Sequence, residues 1–205
     1  MMTARVVALA LLLLVPAPSA GAQTPAPATE PPAPIDKPCP PGATITMDLS
    51  AGGYVVRAAA DPRLRVRWTT RDPAQMSSVY AKAETSGSEC RLAMSGPSNG
   101  FMVTIDVPSR SNVNVSLSAG DFSIDALDGS VDVSAWAGKM QVGLADPSSY
   151  YAVYASVTAG QIRAEPFGAE KGGLLRSFSW EGKGRHSVRV RLTAGDIILG
   201  RATGK

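Results

Sequence analysis

Residues 116–142 read SLSAGDFSIDALDGSVDVSAWAGKMQV, and one small figure recurs through them: a glycine, any residue, an apolar residue, any residue, an apolar residue. The glycines are Gly120, Gly129 and Gly138, nine residues apart, and the apolar pairs behind them are Phe122/Ile124, Val131/Val133 and Met140/Val142. Glycine accepts the sharply turned backbone that corners need, and an alternating pair sends every second side chain inward. Each figure therefore reads as a corner followed by a strand.

Working outward, the figure returns as Gly52-Gly53-Tyr54-Val55-Val56, Gly160-Gln161-Ile162 and Gly195-Asp196-Ile197. Between these sites the chain alternates with period two in "ATITMDLS", "RLRVRWTT", "SVYAKAET", "CRLAMS", "FMVTIDVP" and "NVNVSLS", each stretch bounded by Gly, Pro, Asn, Asp or Ser. Candidate helices at 58–60 and 164–170 are short, and Pro62, Pro166 and Gly168 interrupt them. The predicted fold is all-β.

A nine-residue corner-plus-strand unit admits two architectures. Consecutive units wind about an axis and stack in parallel as a β-solenoid, or they reverse at each glycine into an antiparallel β-sandwich. Hairpins favour Asn-Gly or Asp-Gly, which only Asp128-Gly129 supplies here, so the Ala-Gly corners point to a parallel solenoid over 113–165. Irregular strands are expected at its N-terminal end. At the other end, 177–180 and 187–192 read as a terminal hairpin closed by the last Gly-Asp-Ile rung.

The chain has 205 residues, enough for one well-buried domain. Residues 1–22 read as a signal peptide: Arg5 precedes a short apolar run, too short for the roughly 20 residues of a membrane span, and Ala20-Gly21-Ala22 places cleavage between Ala22 and Gln23. Residues 23–42 read as a Pro/Ala-rich linker, since 23–41 carry half of the 16 prolines. The domain is expected over 43–202, with no transmembrane segment in the mature chain. An exported chain with two cysteines, Cys39 and Cys90, is expected to join them in a disulfide. With one histidine and no Cys-x-x-Cys, no metal or other cofactor is expected.

Chemistry is sparse. Gly96-Pro97-Ser98-Asn99-Gly100 matches the nucleophile-elbow pattern, yet a strand follows it rather than a helix, so it reads as a turn. Asp121, Asp125, Asp128 and Asp132 lack the glycine pattern of calcium-binding rolls and read as a solvated face. Arg63, Arg65 and Arg67 alternate with Leu64, Val66 and Trp68, and Arg189 and Arg191 with Val188, Val190 and Leu192, which puts each arginine set on one strand face. Such arginines either guard an edge strand or form a cationic ligand-binding surface. Trp136, Tyr150, Tyr151 and Tyr154 would suit stacking on sugars, or would be core.

The phrases "VPSRSNVNVSLSAGDFSIDALDGSVDV" and "VRVRLTAGDIILG" resemble the adhesin-like domains of bacterial exported proteins, the group that includes auto-transporter adhesin heads and GIN-type domains. The resemblance rests on Val107-Pro108, Ala119-Gly120-Asp121 and Ala194-Gly195-Asp196-Ile197 and spans roughly residues 43–202. It implies a β-solenoid on the cell envelope and brings no catalytic residues. The combined expectation is a non-enzymatic adhesin-like protein, periplasmic or at the bacterial surface. It would act by adhesion or envelope sensing and contact an anionic polysaccharide, a lipid headgroup or a surface protein, but not nucleic acid. A carbohydrate-active enzyme on a β-helix scaffold is the alternative.

Overall fold

The computed structural model describes residues 33–125, 127–144 and 146–201. The segment read as a signal peptide, its cleavage point at Ala22–Gln23 and the linker up to residue 32 lie outside the described residues. Among the described residues, regular structure is strand, apart from three short 3₁₀ segments at Pro73–Ser78, Pro147–Ser149 and Glu165–Phe167.

The strands are β1 (Ile35–Pro38), β2 (Thr44–Leu49), β3 (Gly52–Ala59), β4 (Arg63–Thr70), β5 (Tyr80–Ser86) and β6 (Glu89–Ser95). They continue with β7 (Phe101–Pro108), β8 (Asn112–Ile124), β9 (Val131–Leu144), β10 (Tyr150–Ala164), β11 (Ala169–Glu181) and β12 (His186–Arg201). All belong to one mixed sheet that folds into two walls. The first half of β8 pairs with β2 and its second half with β3, so β2 and β3 together make the bent strand that β8 makes alone. The first wall runs β5-β6-β2-β8-β9-β12-β10-β11 and the second β1-β4-β7-β3-β8-β9-β12-β10-β11.

The bend follows from a change of parity. In β8 the buried residues are Val113, Val115 and Leu117, then Phe122 and Ile124. An uninterrupted strand would carry the odd positions onward, so a residue must be absorbed at the corner for both halves to face the core. Gly120 absorbs it at φ +118°, and Gly138 does the same in β9 at φ +132°. These corners also stack directly on one another, in the order Gly52, Gly120, Gly138, Gly195, Gly160. A Cβ on Gly138 would land on the carbonyl oxygen of Gly120, and one on Gly120 on that of Gly52. Both the dihedral and the close backbone approach demand glycine.

Parallel pairing in register lines the interior with ladders. One runs Cys90, Ile45, Val113, Val131, Val188, Val153, and another beyond the corner runs Val103, Tyr54, Phe122, Met140, Ile197, Ile162. All these side chains are buried in a single core. Replacing one of the large members by Ala costs about 3–5 kcal/mol in such a site.

Three features differ from the sequence expectation. First, Gly129 is not a corner of the same kind: β8 and β9 pair at an offset of 18 residues, so two nine-residue figures separate one strand from its parallel neighbour. Gly129 lies in the return turn, its α-carbon against the carbonyl of Ser111. Secondly, neighbours in the sheet are not always neighbours in the chain, so the parallel stack is not a simple sequential winding. β8 is followed by β9, but β10 leaves a gap that β12 fills, parallel to both β9 and β10.

Thirdly, the expected hairpin between 177–180 and 187–192 does not form. The hairpin joins β10 and β11 instead, through the turn at Glu165–Phe167 and a left-handed Gly168. The Gly-rich turn after β11 crosses the start of β10, with the N–H groups of Gly182 and Gly184 donating to the carbonyls of Tyr151 and Tyr150. No Cβ fits at either glycine, and the crossing delivers β12 to the opposite edge of β10.

The sheet also begins earlier than the proline-rich composition indicates. Ile35–Pro38, inside the segment read as linker, pairs antiparallel with β4. Just beyond it, Cys39 is buried and bonded to Cys90 with their Cα atoms 6.3 Å apart. The bond closes a separation of 51 residues, worth about 4 kcal/mol on the chain-entropy account.

Candidate functional site

The two arginine sets lie on different walls. Arg63, Arg65 and Arg67 belong to β4, in the second wall, where their alternation with buried Leu64 and Val66 turns them outward. Each meets an aspartate: Arg63 Nε donates to Asp36 Oδ1 at 2.5 Å, Arg65 pairs with Asp61, and Arg67 Nη2 donates to Asp106 Oδ2 at 2.5 Å. The guanidinium of Arg63 holds the Asp36 carboxyl below the usual carboxylate range. Three cations with three carboxylates tie β1 and the β4 edge to their neighbours.

Arg189 and Arg191 sit on the first half of β12, in the middle of the first wall. Cross-strand register places Asp132 beside Arg189, and Ser134 beside Arg191. Arg191 Nη2 lies 3.0 Å from Asp132 Oδ1 and Arg189 Nη1 lies 3.8 Å from Asp132 Oδ2, while Arg191 Nε donates to Ser134 Oγ at 3.1 Å. Two guanidinium groups therefore share one carboxylate, and the cluster keeps a net positive charge.

Aromatic groups flank this cluster on the same outward face. Tyr154 of β10 is the register neighbour of Arg189 and is 38% exposed, and Trp136, two residues beyond Ser134 on β9, is 69% exposed. The wall offers Asn114, Asp132, Arg189 and Tyr154 in one row and Ser116, Ser134, Arg191 and Ser156 in the next. Flat rows of hydrogen-bonding groups between exposed rings, with surplus cationic charge, suit an extended polar polymer with anionic substituents. Of the other two aromatics singled out, Tyr151 is 52% exposed at the start of β10, while Tyr150 is buried with its ring edge-on to His186.

The remaining sequence candidates disperse. Ser98 lies on the turn between β6 and β7 at the corner end of the first wall, and His186 starts β12 at the opposite end. Asp121, Asp125, Asp128 and Asp132 spread over both walls and the return turn, and among the described residues no three His, Cys, Asp or Glu side chains are grouped to hold a metal ion. Sequence reading missed Asp132 as the shared partner of the two arginines. It stands 57 residues or more from them, and only the out-of-order placement of β12 makes them neighbours.

Comparison with known proteins adds one fold. A crystal structure described as that of a "putative cell adhesion protein from Clostridium sporogenes ATCC 15579" superposes with a TM-score of 0.55 at 14% sequence identity, covering 83% of this chain and 99% of that one. At that identity the likeness is one of architecture, and no side chain is carried across. No family model and no curated protein matches the sequence.

Proposed function

We propose that this is an exported, non-catalytic module of the cell envelope that binds an anionic polysaccharide across the outer face of the first wall. The observation that carries the reading is Arg189 and Arg191 sharing Asp132 between the exposed rings of Trp136 and Tyr154. A flat, wet, cationic face recognises a repeating polymer through many weak contacts rather than one deep cavity. The parallel register supports it further, because β8, β9, β12 and β10 set their outward residues side by side in rows across the wall.

Other observations agree. A disulfide between Cys39 and Cys90 belongs to an oxidising compartment. Among the described residues no helix is long and apolar enough to cross a membrane. The structural neighbour bears an adhesion name, which fits a surface-contact role, as does the family resemblance of the Ala-Gly-Asp corners.

The test is retention of the oxidised domain on immobilised uronic-acid polymer as salt is raised. Affinity is expected to fall steeply with ionic strength, since screening shortens to about 8 Å near 0.15 M. Arg189→Glu with Arg191→Glu should abolish retention while β-rich circular dichroism persists. Binding indifferent to both salt and these substitutions would remove the face from consideration. Preferential binding to anionic vesicles over the polymer would replace the polysaccharide with a lipid surface.

A further inference from the structure

A second site lies at the end of the walls opposite the glycine corners, where the chain turns from one coil to the next. Three turns meet there: the one ahead of β8 brings Arg110, Ser111 and Asn112, the return turn after β8 brings Asp128, and the turn ahead of β12 brings Arg185 and His186. Between them is an open cavity of about 420 Å³, within the roughly 300–1,000 Å³ of small-ligand sites.

Its lining is rich in donors and poor in acceptors. Asp128 is the one carboxylate, and it is already engaged: His186 Nε2 lies 2.9 Å from Oδ1 and Arg110 Nε 3.7 Å from Oδ2. Asn112 Oδ1 accepts from the Ser130 amide at 2.9 Å, which orients the side chain and leaves its amide nitrogen without a partner among the described residues. Arg185 makes no ion pair among the described residues. Ser111 is buried, and its hydroxyl has no hydrogen-bond partner among the described residues.

Two guanidinium groups against one carboxylate leave the cavity positive. Arg110, Arg185 and the Asn112 amide supply more donor capacity than the two oxygens of a carboxylate would use, whereas three phosphoryl oxygens match it. We infer that this cavity binds a phosphomonoester group, with Arg185 as the principal ligand, Arg110 as the second, and Asp128 fixing the positions of Arg110 and the His186 ring. The site is separate from the outer face of the first wall and does not depend on that reading.

His186 is the one histidine in the sequence, so the oxidised domain carries its own reporter. Its ring resonances can be followed by NMR during titration with inorganic phosphate, with acetate at matched ionic strength as control. A saturable shift with phosphate and none with acetate is expected, and Arg185→Gln should weaken the phosphate affinity about tenfold or more. Arg189→Glu with Arg191→Glu should leave the titration unchanged, so failure here and failure of the polysaccharide reading are distinguishable. Glucose 1-phosphate and vesicles containing phosphatidic acid then separate a soluble ligand from a lipid headgroup. The proposal is overturned if phosphate moves the ring no more than acetate does, or if Arg110→Gln with Arg185→Gln, still folded by circular dichroism, titrates like the parent protein.

Discussion

Strands β4 and β12 carry the same sequence device, arginines alternating with apolar residues, and the structure uses it in two ways. On β4 three arginines meet three carboxylates, with Asp36 reached by both Arg63 and Arg65, and Asp36 comes from β1, whose pairing gives β4 its outer neighbour. On β12 two arginines divide one carboxylate and stand among exposed aromatic rings in the middle of a wall. The number of acidic partners separates a tie from the proposed recognition surface, and alternation alone does not reveal it.

The largest expected effect concerns the β4 end. Cys39→Ser with Cys90→Ser should lower stability by about 4 kcal/mol in urea titrations. Hydrogen exchange should rise first in β1, β4 and β6 while β12 stays protected, and equal loss of protection at both places would dissolve the contrast. Next is a change in the central stack. Gly138→Ala has both a left-handed dihedral and the Gly120 carbonyl against it, and should cost about 2 kcal/mol or more. Here the exchange should spread from β9 to its neighbours, with the disulfide end responding last.

A smaller effect sharpens the arginine comparison. Asp132→Asn removes the carboxylate shared by Arg189 and Arg191, and Asp106→Asn removes the one held by Arg67. Both should alter stability by no more than about 1 kcal/mol, as exposed pairs do. Only Asp132→Asn should strengthen retention on anionic polymer, because only there is the proposed recognition surface relieved of its counter-charge. Equal effects of the two on binding would mean that charge count, not placement, governs adhesion.

The smallest effect is with pH. The Asp36 carboxyl is lowered from its ordinary value of 3.8, first through the hydrogen bond from Arg63 and then through the charges of Arg63 and Arg65. A carboxylate depressed in the folded state stabilises the fold above its unfolded value, and that contribution disappears as pH falls through the folded one. Acidification below about 3.8 should therefore speed exchange at the Ile35, Asp36 and Lys37 amides before the rest of the sheet responds. Unchanged exchange there would show that the pair does not hold β1 in place.

The alternation of apolar residues made most strands legible, though not β1 or the first part of β11, and the Ala-Gly pairs at 119–120, 137–138 and 194–195 made the corners legible, because both signals are local. The order of the strands was not. Nothing in the residues of β10 distinguishes β9 from β12 as a parallel neighbour, since each offers the same run of valines in the same register. The role of Gly182 and Gly184 was hidden for a similar reason: a Gly-rich turn between two strands looks like a hairpin unless one knows that it must cross a third strand. The disulfide was legible from there being two cysteines. The sharing of Asp132 was not, because it follows from strand order.

The placement of β12 bears on how the molecule is made. The last long strand along the chain lies inside the sheet, hydrogen-bonded on both sides, so every shorter length of chain leaves the edge of β9 open and the β10–β11 hairpin unseated. Synthesis from the N-terminus cannot complete the sheet before residues 186–201 are present, and the pairings they supply are distant in sequence, which slows folding. A polypeptide that must pass through a narrow translocation pore benefits from such delay, since the sheet remains threadable until β12 itself has been delivered. The same delay leaves β9 a vulnerable edge in truncated chains, which should aggregate rather than fold into a shorter stack.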